Sequence, residues 1–206
     1  MARKRKVRNL LGLAVLAYLL QRPMHPYEIS RTLRDNGDDR SIKFNHGSLY
    51  MVVGQLAKAG FVEPRETSRE GQLPERTVYA LTDSGRAELH DWLADLVAEP
   101  GHEYPQFVAA LSLVAALPPG EVVALLGRRR ARLAALRAEI VATVDEASAR
   151  GVPELFLVEE QYRLALLDAE AAFVDGFVAR TTDPDSGWGP EWARFHRTTF
   201  GQGDPS

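Results

Sequence analysis

The side chains able to do chemistry in this chain are few, and their spacing favours contact over catalysis. None of the 206 residues is a cysteine, which removes a disulfide framework, a thiolate nucleophile and any cysteine-ligated zinc or iron–sulfur centre. The five histidines, His25, His46, His90, His102 and His196, include no HExxH pair and no pair at metal-ligand spacing. His90 beside Asp91 and His102 beside Glu103 are chain neighbours, whose side chains leave a helix in different directions. A Walker phosphate loop, a GxGxxG turn and a GxSxG elbow are all missing. Neither a cofactor, a metal nor an enzymatic activity is therefore expected. Carboxylates assembled from distant positions form the one catalytic alternative, a small hydrolase or transferase working from the C-terminal half.

Contact chemistry is better supplied. After Asn45, the residues Leu49, Val52, Val53 and Leu56 share one side at helical spacing. Gly47, Met51, Gly54 and Lys58 therefore share the other, flanked by Ser48, Tyr50 and Gln55. Such a strip can enter a DNA major groove. His46 and Ser48 at the helix start can donate to phosphate, as can the Tyr50 hydroxyl. Gln55 can bond both edges of an adenine, and Lys58 can meet the backbone as a point charge. Arg65, Arg69 and Arg76 put positive charge on a hairpin that follows, suited to phosphates or a minor groove. Lys4 and Arg5 belong to a basic arm, Arg3 to Arg8, that could reach a neighbouring groove. The plainer readings are a solvated hairpin and a solubilising tail.

The charge distribution agrees with a polyanion-facing front. The formal net charge is -3, yet residues 1–80 hold 14 Lys and Arg against 8 Asp and Glu, a net of +6. The remainder holds 11 against 20, a net of -9. A basic N-terminal module joined to an acidic C-terminal one fits both numbers. Arg128, Arg129, Arg130 and Arg132 form a further basic cluster, but consecutive residues point around a helix, which favours a solvated face over a second nucleic-acid patch.

The elements that must position these residues follow from periodicity and punctuation. An apolar run from Leu10 to Leu20 reads as a buried helix, and Tyr27 to Leu33 as a short amphipathic one stopped by Gly37. Asn45 caps the third helix and Gly60 closes it. Phe61 to Glu66 and Thr77 to Leu81 flank Gly71 and Pro74 as a hairpin, and Thr82 caps a fourth helix with Leu89, Trp92, Leu93 and Leu96 as its stripe. The expected fold is mainly α: a winged helix-turn-helix with a two-stranded wing over residues 1–81, a connecting helix over 82–99, and an α-helical dimerisation domain over 100–180. A Gly-, Pro- and aromatic-rich tail, 181–206, carries Trp188, Trp192, Phe195 and Phe200 and is expected to dock.

In order along the chain, His25-Pro26-Tyr27-Glu28, Ser48-Leu49-Tyr50, Leu56, Gly60, and Val78-Tyr79-Ala80-Leu81-Thr82 with Gly85 resemble the PadR family of bacterial transcriptional regulators. The resemblance covers about residues 8 to 98, and the long helical remainder is similar to the subgroup with an extended dimerisation domain. It implies a homodimeric repressor that sets two winged helices on a palindromic operator and is released by a small ligand. It also implies that Tyr27 sits between the core and the DNA backbone. Two positions depart from the pattern: Gly54 and Gln55 stand where Lys or Arg is frequent, and Pro26 replaces a glycine. Proline is well tolerated at a first helical position.

In the C-terminal half, Leu126, Leu133 and Ile140 repeat every seven residues, as do Leu155, Tyr162 and Ala169, with Phe173 and Phe177 continuing the second face. Gly151 and Pro153 supply the turn of an antiparallel helical hairpin, whose surplus apolar face is expected to pack on a second copy of the chain. Trp92, Tyr104 and Phe107 are candidates to line a pocket for a small aromatic or hydrophobic effector; ordinary core packing is the alternative. The basic arm and apolar run also resemble a signal peptide, but the run is too short to span a bilayer and is followed by Gln21, Arg22 and Pro23 instead of a cleavage site. A cytoplasmic protein with no membrane partner is expected. The competing reading from another class is a winged-helix module that binds protein and not DNA.

Overall fold

The computed structural model describes residues 5–68 and 76–200, which fall in two compact units, Met1–His102 and Glu103–Ser206. In the first unit, α1 (Leu10–Gln21) begins at Asn9, whose side chain accepts from the Leu11 N–H. The next helix, α2 (Pro26–Asp35), starts with a proline where no amide partner is needed, and His25 caps it. A third, α3 (His46–Ala59), is held by a reciprocal box: Asn45 Oδ1 accepts from the Ser48 N–H at 2.8 Å, and Ser48 Oγ accepts from the Asn45 N–H at 2.9 Å. Gly60 closes it at φ +80°, a left-handed conformation that suits glycine.

The wing is an antiparallel pair, β1 (Val62–Ser68) with β2 (Arg76–Leu81), running from Val62 opposite Leu81 to Ser68 opposite Arg76, with a register shift between Pro64 and Glu66. Met24 and Tyr79 exchange two backbone hydrogen bonds of 3.0 Å, so the α1–α2 turn adds a short third rung to the sheet. Thr82 caps α4 (Asp83–Ala98), accepting from the Gly85 N–H at 3.0 Å. Gly85 must be glycine for another reason: a Cβ there would collide with the Phe61 carbonyl oxygen. One core serves the whole unit, with Leu11, Val15, Leu16 and Leu19 of α1, Ile29 and Leu33 of α2, Leu49, Val52, Val53 and Leu56 of α3, and Leu89 of α4. Residues 82–98 thus pack as part of the winged helix, through α1.

The second unit is helical: α5 (Gln106–Ser112), α6 (Pro119–Ala149), α7 (Val158–Thr182) and α8 (Gly189–Phe200). Gly151, at φ +80°, turns the chain after α6 so that α7 returns antiparallel. Along α6, Leu126, Leu133, Ile140 and Ala147 are buried at seven-residue intervals. Of the expected second seam, Phe177 alone is buried. Leu155, Tyr162, Ala169 and Phe173 are exposed, while the inward line runs through Glu160, Leu167, Val174 and Thr181. Two residues turn an α-helix by about 200°, so a seam displaced by two places lies on the opposite side. Part of the aromatic segment docks: Trp188 and Trp192 meet Phe177 edge-on, and Trp188 Nε1 donates to Thr181 Oγ1 at 2.7 Å, whereas Phe195 and Phe200 are exposed.

Candidate nucleic-acid interface

The first unit presents the face able to meet a polyanion. Burial of Leu49, Val52, Val53 and Leu56 leaves His46, Tyr50, Met51, Gln55 and Lys58 outward along α3, with Met51 57% exposed. Tyr27, 60% exposed, projects beside them from the first turn of α2. Its ring stacks parallel on His46, with centroids 6.0 Å apart, and His25 meets Tyr50 edge-on at 6.2 Å. The N-terminus of α2 and the first half of α3 are therefore joined by two ring pairs. His25 also accepts the Tyr27 N–H on Nδ1 at 3.1 Å. In the sequence His25 stands out only as part of the His25-Pro26-Tyr27-Glu28 motif, and no signal within one helix places it against Tyr50 of α3.

Other expected contacts are placed differently. Ser48 donates its hydroxyl hydrogen to the Asn45 carbonyl while accepting the Asn45 N–H, so it caps α3 and its donor is used internally. Arg5 is a clear correction. Its guanidinium bonds Glu88 Oε1 at 2.8 Å, the Asp91 carbonyl at 3.1 Å and the Asp95 carboxylate, and lies over the Trp92 ring. With its side chain 9% exposed, Arg5 is an anchor of the winged helix and not part of a reaching arm. A charge that could be neutralised by phosphate is already neutralised by two carboxylates. Lys4 and Arg69 lie outside the described residues, as does the side chain of Arg76, whose backbone is in β2. Arg65 is exposed on β1 beside Glu63, 3.4 Å away.

Near the site, Arg22 and Glu28 pair at 2.5 Å; the guanidinium holds the Glu28 carboxyl below the usual range, and the carboxylate raises Arg22 in return. Two arginines of the α6 cluster turn to α7: Arg129 bonds Glu170 at 2.6 Å, and Arg130 bonds Asp175 at 3.0 Å, while Arg128 and Arg132 are exposed. Those ion pairs occupy two of the four guanidinium groups across the helical hairpin. The three expected effector-pocket residues fall in both units. Trp92 is buried in the first unit under Arg5, Tyr104 is 88% exposed, and Phe107 packs within the second unit against Phe173, beneath the Arg129 guanidinium. Neither unit by itself builds a pocket from the three. Among the described residues there is no group of three or more His, Asp or Glu able to hold a metal ion, and no helix long and apolar enough to cross a membrane.

Residues 15–91 match the model of the transcriptional regulator PadR-like family. The chain is 30% identical over 134 residues to the negative transcriptional regulator PadR of Bacillus subtilis, an alignment spanning 63% of this chain and 72% of that protein. The crystal structure of B. subtilis PadR in complex with operator DNA superposes with a TM-score of 0.66 at 22% identity, covering 84% of this chain and 98% of that one. The same protein in complex with p-coumaric acid gives a TM-score of 0.66 at 20% identity, over 86% and 97% of the two chains. At such identities the structural likeness establishes the fold, and the sequence relationship establishes the kinship. The chain belongs to the PadR-like family of transcriptional regulators.

Proposed function

We propose that this chain is a cytoplasmic, ligand-responsive homodimeric repressor that sets two α3 helices in successive major grooves of a palindromic operator, with no catalytic role. The observation that carries the reading is the outward strip of α3, where His46, Tyr50, Met51, Gln55 and Lys58 stand together beside Tyr27. Tyr27, Tyr50, His46 and Lys58 meet phosphates, and Gln55 reads a base edge. Lys4, Arg69 and Arg76 add charge at the arm and wing, and Met51 supplies apolar contact. Support for repression comes from the B. subtilis relative, a negative regulator. Its complexes with operator DNA and p-coumaric acid support an operator partner and a small aromatic or hydrophobic effector. The outward stripe of α7, with Tyr162, Leu166 and Phe173, and the exposed Leu155 and Phe156 in the turn before it support a second copy as the dimer partner. An effector then acts by favouring a dimer geometry whose recognition helices no longer match half-sites about 34 Å apart.

The test is a mobility shift with DNA from upstream of the gene, comparing wild type with Tyr50→Ala and Lys58→Ala. Specific binding is expected to weaken in both. A protein making 6 to 10 phosphate contacts should also lose roughly 10³ to 10⁵ in affinity between 50 and 200 mM salt. Unchanged binding in both variants, or a salt-insensitive complex, would overturn the reading in favour of a protein-binding winged helix.

A further inference from the structure

His25 is half-buried at the hinge between the two exposed ring pairs, and it performs two tasks with one side chain. At the N-cap of α2 its backbone is extended, and Nδ1 accepts the Tyr27 N–H at 3.1 Å. This requires Nδ1 to be unprotonated, so the neutral ring carries its hydrogen on Nε2. Asn, Asp, Ser or Thr would cap at least as well. What an imidazole adds is its second contact, the edge-on meeting with Tyr50 at 6.2 Å and 71°. One ring thereby sets the first turn from which Tyr27 projects and supports the tyrosine on the neighbouring α3. The Tyr27 ring is stacked in turn on His46.

We propose that His25 is a positioning residue for DNA binding: its neutral form holds Tyr27 and Tyr50 in the phosphate-facing arrangement, and protonation at Nδ1 releases them. The proposal rests on the operator reading above and adds a residue and a protonation state to it. Histidine is the side chain whose charge changes most readily between about pH 5 and 8, so the two forms are compared at pH 8 and at pH 5.5. The groups that face His25 oppose one another. Glu28 on α2 accepts the His25 backbone N–H and favours an imidazolium, while it is itself paired with Arg22 at 2.5 Å. The Tyr27 amide and the positive end of the α2 dipole disfavour an imidazolium. From α3 come the Tyr50 ring and, through Tyr27, the titratable His46. A wild-type profile alone would mix these titrations, and a ratio between variants isolates one.

The experiment measures operator affinity of the full-length protein at pH 8 and pH 5.5 for wild type, His25→Asn and His25→Ala, with thermal unfolding of each at both values. Asparagine keeps a cap acceptor that does not titrate. The affinity of wild type relative to His25→Asn is expected to fall roughly three- to ten-fold on acidification, the size of a lost helix cap. His25→Ala should bind more weakly than both at pH 8 while still unfolding cooperatively. A ratio that is flat or rises on acidification overturns the proposal, as does wild-type affinity in His25→Ala. Failure of the wild type to shift any upstream DNA at pH 8 refutes the operator reading and this proposal with it; a flat ratio in a protein that binds refutes this proposal alone.

Discussion

Replacing Arg5 with alanine separates two uses of one positive charge. In the folded first unit the guanidinium has Glu88, Asp95, the Asp91 carbonyl and the Trp92 ring as partners. The Asp95 side chain is 56% exposed, so that half of the contact contributes about 0–1 kcal/mol. Glu88 differs, because its side chain is 8% exposed and Arg5 →Ala would strand its carboxylate. Stranding one partner of a buried pair costs about 3–5 kcal/mol, and the position at the unit's edge argues for the low end. Arg5→Ala should therefore destabilise the first unit by about 3 kcal/mol, a drop of about 1–2 M in the urea midpoint at ordinary m-values. Trp92 is the reporter: with Trp188 and Trp192 replaced by phenylalanine, it is the last of the three tryptophans and lies under the guanidinium. Replacing Glu88 with leucine as well should recover much of the loss, since the stranded charge is gone. If Arg5 were instead part of a DNA-reaching arm, the variant would unfold within about 0.5 kcal/mol of wild type and the salt slope of DNA binding would drop by about one. That result would refute the anchor.

Further outcomes follow from single contacts. Gly85→Ala should cost about 2–3 kcal/mol in denaturant unfolding, because its Cβ would collide with the Phe61 carbonyl and lie 2.8 Å from Leu81 Cδ1. The buried Tyr18 hydroxyl donates to Asp38 and accepts from Asn36 at 2.9 Å; burial, then the Asp38 contact, pushes its pKa well above the ordinary 10.0. A raised folded-state pKa means full stabilisation below pH 10 and progressive loss above it, so an alkaline unfolding series should steepen there for wild type and flatten in Tyr18→Phe. Tyr162→Lys, on the outward stripe of α7, should shift the protein from dimer to monomer in analytical ultracentrifugation while its helical content is kept; an unchanged dimer would remove that stripe from the interface.

Much of the winged helix was legible in the residues because its signals are local. Asn45 before the third helix, Gly60 after the last apolar position, and Thr82 before Asp83 each act within one turn, and the structure places a cap or stop at each. The same holds for the outward strip of α3, since burying Leu49, Val52, Val53 and Leu56 leaves no freedom about which side faces out. The α7 seam shows where periodicity stops helping. Two seven-residue lines reach that helix, 160-167-174-181 along it and 155-162-169 entering it from the turn before, and the more apolar one is outward. Which line meets α6 is settled by partners on α6, through Arg129 with Glu170 and Arg137 with Asp168, and no single helix encodes that choice.

Charge and histidine chemistry divide in the same way. Residue types alone identify a chain without cysteine chemistry, with a basic front, an acidic rear and helices in known order, because composition and short-range spacing need no neighbours from elsewhere in the chain. Tertiary structure decided what each charge is for: Arg5 meets Glu88 across 83 residues and becomes an anchor, and Arg130 meets Asp175 across 45 and leaves the nucleic-acid account. It also drew His25 into the tyrosine pairs of α2 and α3. A charged or polar side chain acts through the few ångströms around its tip, and only the fold determines which distant residue occupies them.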